Sequence, residues 1–195
     1  MTFINPLQPV SMNSPIDVNG RVIQYMQQDR ANWYYACTQT AQSLSGAGPA
    51  TTGYGLGLRN SSTNTVNLVI RSVQMALSAE PGAAAVIFYC KSANGNVSGQ
   101  TTLLTNAGYN PIVTQLGLNF GVVGQAAAFI GGTLSGAPVI VRLASDVLTT
   151  TANQVALDDP INGQIILEPN TAFSIQSNAA LTGYFSIVWE EVPQW

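Results

Sequence analysis

From Trp33 onward the chain is a series of short apolar or alternating runs, each stopped after fifteen residues or fewer by turn formers. The runs cover 33–42, 54–59, 65–79, 84–91, 100–105, 122–130, 137–148, 163–168, 171–177 and 181–192. Between them stand Asn60-Ser61-Ser62-Thr63-Asn64, Glu80-Pro81-Gly82, Ser92-Ala93-Asn94-Gly95-Asn96, Asp158-Asp159-Pro160, Asn162-Gly163 and Glu168-Pro169-Asn170. Asn, Asp, Gly and Pro in such clusters reverse the chain, because they tolerate left-handed backbone or preset a turn dihedral. Punctuation this dense leaves no room for βαβ units and predicts eight to ten antiparallel strands in a sandwich or barrel.

Two runs carry finer information. In Val66 to Leu77, the apolar set Val66, Leu68 and Ile70 gives way to Val73, Met75 and Leu77, which have the opposite parity. A strand that changes phase has a bulge, here near Arg71-Ser72, or else is covered on both faces where a sandwich turns a corner. The last run alternates Phe185, Ile187 and Trp189 with Tyr184, Ser186 and Glu190, the pattern of a half-buried antiparallel strand. No fixed-period repeat is visible, which removes solenoids and propellers and leaves one Greek-key or jelly-roll unit.

Residues 1–32 are different. Pro6, Pro9 and Pro15 among polar residues oppose both helix and central strand, so this segment is expected to be an extended N-terminal arm preceding a β-sandwich domain over 33–195. Val22, Tyr25, Met26 and Asp29 fall at helical spacing, and one short helix over 21–30 is the exception to expect. Such an arm either embraces a neighbouring subunit or straps its own surface.

Charge then narrows the function. Only 8% of the 195 residues are Asp, Glu, Lys or Arg, against about 25% in an average soluble protein, while 46% are hydrophobic and the net charge is −3. That balance excludes intrinsic disorder. Ser, Thr, Asn, Gln and Gly take the solvent-facing places, and a neutral surface suits a subunit packed among copies of itself better than a free monomer; a secreted β-domain is the alternative. The six cations, Arg21, Arg30, Arg59, Arg71, Lys91 and Arg142, are spaced singly, so no basic footprint for nucleic acid exists. Met-Thr-Phe-Ile-Asn-Pro has no basic and apolar leader pattern, so synthesis in the cytoplasm is expected.

Chemistry finds few footholds. With no histidine, Ser-His-Asp and Cys-His systems and the commonest transition-metal ligand are all missing. The carboxylate pairs Asp158 with Asp159 and Glu190 with Glu191 are sequence neighbours, and neighbours on a strand point to opposite faces. A Ca²⁺ site at Asp158-Asp159-Pro160 would need six to eight oxygens that the spacing does not provide. Gly53, Gly55 and Gly57 alternate with Tyr54, Leu56 and Leu58 but precede no helix that could bind phosphate. Asn60-Ser61-Ser62 and Asn96-Val97-Ser98 match the glycosylation pattern and read as turns. Cys37 and Cys90, each in an aromatic-flanked run, read as buried strand thiols, with a disulfide as the lesser alternative in a reducing cytoplasm. The Gly- and Ala-rich stretch from Leu116 to Gly132 suits strand and loop better than a membrane segment. Catalytic residues, metal and cofactor are therefore all expected to be none, and no membrane partner is expected.

Four aromatics, Trp33, Tyr34, Tyr35 and the terminal Trp195, sit where strands or the chain end. They are the candidate subunit contacts, or in a different class of protein a sugar-binding platform.

Three segments carry a resemblance to a known group: Leu58-Arg59-Asn60 through Val66-Asn67-Leu68-Val69-Ile70-Arg71, then Gly136-Ala137-Pro138-Val139-Ile140-Val141-Arg142, then Thr171-Ala172-Phe173 through Val188-Trp189-Glu190-Glu191-Val192-Pro193. Over residues 54 to 193 the chain resembles the jelly-roll-like capsid decoration, or cement, proteins of tailed bacteriophages. The resemblance implies a virion structural protein on the capsid surface of an icosahedral head. Its partners would be itself, as a homotrimer, and a major capsid protein whose adjacent capsomers it holds together. A phage tail or fibre component and a carbohydrate-binding β-sandwich module are the alternatives.

Overall fold

The computed structural model describes residues 33–98, 101–102, 114–115, 124–145, 147–148 and 156–194. The arm over 1–32, its short helix and Trp195 lie outside the described residues. Within them the chain is all β, with no helix. The strands are β1 (Trp33–Cys37), β2 (Gln42–Ser45), β3 (Gly57–Asn60), β4 (Val66–Leu77), β5 (Ile87–Ser92), β6 (Val97–Ser98) and β7 (Thr101–Thr102). They continue with β8 (Thr114–Gln115), β9 (Ala127–Ile130), β10 (Thr133–Leu134), β11 (Pro138–Leu143), β12 (Ala156–Leu167), β13 (Thr171–Ser177) and β14 (Ala180–Pro193).

Two antiparallel sheets hold twelve of them. Sheet A runs β12-β4-β14-β1-β8, with β2 also paired to β14, and sheet B runs β11-β5-β13-β3-β9-β7. Chain order passes from sheet to sheet: β1 and β4 in A enclose β3 in B, and β12 and β14 in A enclose β13 in B. One continuous core lies between the sheets, with Phe185, Ile187 and Trp189 from A facing Leu58, Ile87, Tyr89, Phe173 and Ile175 from B. Tyr89 and Phe173 meet at 5.5 Å, and Tyr34 stacks on Trp189 at 6.0 Å.

The phase change in β4 is a bulge, at the place the apolar pattern indicates. On β14, Val188 pairs with Ser72 while Trp189 pairs with Ile70, so Arg71 has no residue opposite it. The extra residue resets the pleat, and Val66, Leu68, Ile70, Val73 and Met75 all reach the same core. β14 alternates as expected, burying Leu181, Phe185, Ile187 and Trp189.

The reading of Asp158-Asp159-Pro160 and Asn162-Gly163 as turns between strands is corrected here. Both lie inside β12, the outer strand of sheet A. An outer strand bonds on one side only, so it accommodates a proline. Asp158, Asp159 and Pro160 pair with Gln74, Val73 and Ser72, after which the register jumps to Ile165 opposite Ile70. Asn162 (φ 52°) and Gly163 (φ 81°) make that jump in left-handed backbone. Their turn chemistry builds a bulge within one strand.

At β13, in the middle of sheet B, the outer face is covered as well, which is why all seven of its residues are buried. The side-chain amide of Gln176 behaves like an added peptide group: it donates to Ala50 O (2.9 Å) and accepts from Ala50 N (2.7 Å), fastening the 46–53 loop across the sheet. A second small core joins Tyr54, Phe129, Leu134 and Ala172, with Tyr54 edge-on to Phe129 at 5.3 Å. A Cβ at Gly57 would stand 2.3 Å from the Phe129 ring, so the glycine alternation in 53–57 serves close packing.

Trp189→Ala should cost about 3–5 kcal/mol, because the indole is fully buried at the centre of the core. Urea unfolding followed by far-UV circular dichroism will show this as a lower midpoint at unchanged native signal.

Candidate functional site

Trp33, Tyr35 and Cys37 alternate with Tyr34 and Ala36 along β1, and that alternation divides the candidate aromatics between two environments. Tyr34 points inward and is 8% exposed against Trp189; burial, then the charge of Glu191, raises its hydroxyl pKa. Trp33 and Tyr35 are half-buried on the outer face of sheet A, opposite Glu190 and Val188 of β14. The Arg71 guanidinium lies 5.3 Å from the centroid of the Trp33 ring and is ion-paired to Glu190. The structure thus brings Trp33 and Tyr35 to one surface and assigns Tyr34 to the core.

That surface continues across the sheet. Cys37 pairs with Ser186, Ser186 Oγ donates to Gln74 Oε1 (3.4 Å), and Gln74 Nε2 donates to Asp158 Oδ1 (3.3 Å). Tyr184, 46% exposed, stands beside this ladder over a shallow groove of about 320 Å³. Aromatic faces beside amide, hydroxyl and carboxylate groups offer contacts to a hydroxyl-rich or protein surface.

The carboxylate pairs divide as the strand geometry requires. Glu190 faces outward to Arg71, while Glu191 is buried and accepts from Gln125 N and Ala126 N, both at 3.0 Å, and from the Trp189 indole at 3.4 Å. Asp158 faces outward to Gln74, while Asp159 faces inward and takes Arg142 in a two-point contact at 2.7 and 3.1 Å. Neither pair converges on one point. Among the described residues no group of three or more His, Cys, Asp or Glu could hold a metal ion.

Arg142 is on β11 and Asp159 on β12, so this contact closes the sandwich along the side where the two sheets' outer strands meet. The hydrogen bond to Asp159, together with its charge, raises the Arg142 pKa against the opposing effect of burial. Further along, Lys91 is ion-paired to Glu168 and donates to Ile166 O at 2.8 Å. Burial pushes the Glu168 carboxyl up, but the hydrogen bond from Lys91, a backbone hydrogen bond and the Lys91 charge together outweigh it and hold the group below its ordinary range.

Cys37 and Cys90 are free thiols on different sheets. Cys90 is buried as expected, and burial pushes its pKa up to about 12. Cys37 is only half-buried, a correction that follows from its outward parity on β1.

Beside Arg142, β11 leaves Val139, Ile140, Val141 and Leu143 exposed. Among the described residues neither face of β11 is fully covered.

Compared with known proteins, the chain matches no family model, no curated protein and no solved structure.

Two outcomes follow. Asp159→Asn should destabilise the fold by about 1–3 kcal/mol, since it removes the charged partner of Arg142 from a mostly buried site; chemical denaturation measures the difference. Iodoacetamide at mildly alkaline pH should leave Cys90 unmodified in the native chain and alkylate it once the chain is unfolded, as intact mass with peptide mapping will report.

Proposed function

We propose that this chain is a virion structural protein, a capsid decoration or cement protein that binds the outside of an icosahedral phage head and stabilises adjacent capsomers. The observation that carries the reading is the strand order. Taking the eight principal strands, β1-β14-β4-β12 face β3-β13-β5-β11, and only the β5 to β11 connection stays within one sheet. We read this as a jelly roll, an architecture that recurs in viral capsid and lectin domains. Because one fold hosts many functions, the neutral surface and the exposed apolar β11 supply the functional weight. On a symmetric lattice each contact need only be weak, since many copies act together.

A carbohydrate-binding module is the second reading, favoured by Trp33, Tyr35 and Tyr184 flanking the Gln74–Asp158 ladder on sheet A. Two measurements separate the readings. Virions of the encoding phage, probed with gold-labelled antibody to this chain, should carry label over the head surface. Label confined to the tail would move the protein to a fibre role. Unlabelled virions combined with saturable glycan binding lost on Trp33→Ala or Tyr184→Ala would establish the second reading.

A further inference from the structure

Among the described residues seven large apolar side chains are exposed, and six lie along one side of the sandwich: Val139, Ile140, Val141 and Leu143 on β11, Val147 just beyond it, and Ile166 on β12. β11 pairs with β5 and with no other described strand. Val139 and Leu143 are each 64% exposed, and the register shift between Ile140 and Arg142 turns Val141 outward too, at 46%.

The outer strands of the two sheets lie side by side and differ in kind. β12 carries Asp158, Pro160 and the left-handed Asn162-Gly163 bulge, devices that keep a foreign strand from adding to a sheet. β11 has a proline only at its first residue, and its single charge, Arg142, is drawn across to Asp159 and Gln164. Nothing charged on β11 is left to guard its edge.

The geometry points to β11, with the rim formed by Val147 and Ile166, as the contact by which one copy of this chain seats on a second copy. A strip with no unpaired charge favours a partner surface that is itself poor in charge, and only 8% of this chain's residues are charged. Three of its six cations, Arg71, Lys91 and Arg142, are already tied internally. Self-contact is also electrostatically admissible: in the antiparallel register that overlaps all of Pro138–Leu143, Ile140 stands opposite Val141 and Val139 opposite Arg142, with no like charges facing. This deepens the proposed shell role by naming the contact between copies, yet it stands or falls apart from attachment to heads.

The test is the mass of the full chain by light scattering, beside Val139→Asp/Leu143→Asp and a control on the other sheet, Ala180→Ser, at an exposed position of β14. The unaltered chain and the control should be oligomers of equal mass. The double variant should be a monomer with native circular dichroism, its dissociation constant raised about 100-fold or more. If the aspartates prevent folding, Val139→Ser/Leu143→Ser replaces them, with the same dissociation expected. A monomeric unaltered chain overturns the inference, and so does a folded double variant that stays oligomeric. A monomer that binds heads only when β11 is intact would also overturn it, giving the strip to the shell while leaving the decoration role standing.

Discussion

The register of sheet A is set by β14. It pairs with β4 from Gly183 opposite Leu77 to Pro193 opposite Val66, with β1 through residues 186–190, and with β2 through residues 180–183. Since alternate residues of a strand face opposite ways, a slip of one residue would send Trp189 and Ile187 to solvent and Glu190 into the core. The apolar parity of one strand therefore fixes three others. The Arg71 bulge is the adjustment that lets the long β4 follow this parity along its whole length.

Buried polar side chains complete what the ladders leave open. Asn60, fully buried, donates to Val66 O (2.7 Å) and Leu167 O (2.8 Å), tying the ends of β3, β4 and β12. Gln176 does the same for the 46–53 loop, and Glu191 for the entry to β9. Each supplies hydrogen bonds to backbone groups that would otherwise be buried at a cost of about 1–3 kcal/mol. The amide-rich composition thus has an internal use: Asn and Gln bracket irregular backbone without bringing charge into the sandwich.

Strands whose apolar residues alternate could be read directly. β14, the bulge in β4, the run that becomes β13 and the split of Glu190 from Glu191 were all legible, because side-chain parity on a pleat is geometry. β12 was not: Asp-Asp-Pro and Asn-Gly have the same chemistry whether they reverse a chain or kink an outer strand, and only the partner strand decides. The aromatic face of sheet A was half legible, with Trp33 and Tyr35 found and Tyr184, Gln74 and Asp158 missed, since cross-strand neighbours depend on register. The exposure of β11 left no signal at all. An apolar run looks alike whether its own chain or another covers it.

The pairing of β1 with β14 has a consequence for how the molecule comes into being. Phe185 N bonds to Thr38 Oγ1 across 147 positions of chain, so the first of the described strands waits for the last before it has a neighbour on that side. At a synthesis rate of about 5–20 residues per second, that wait is on the order of 10 s, long beside the microseconds in which a local hairpin closes. Non-local pairing of this kind makes folding slow, and it leaves apolar strands uncovered while the ribosome is still working. The nascent chain is then association-prone, and prompt delivery of β14 is what ends that interval.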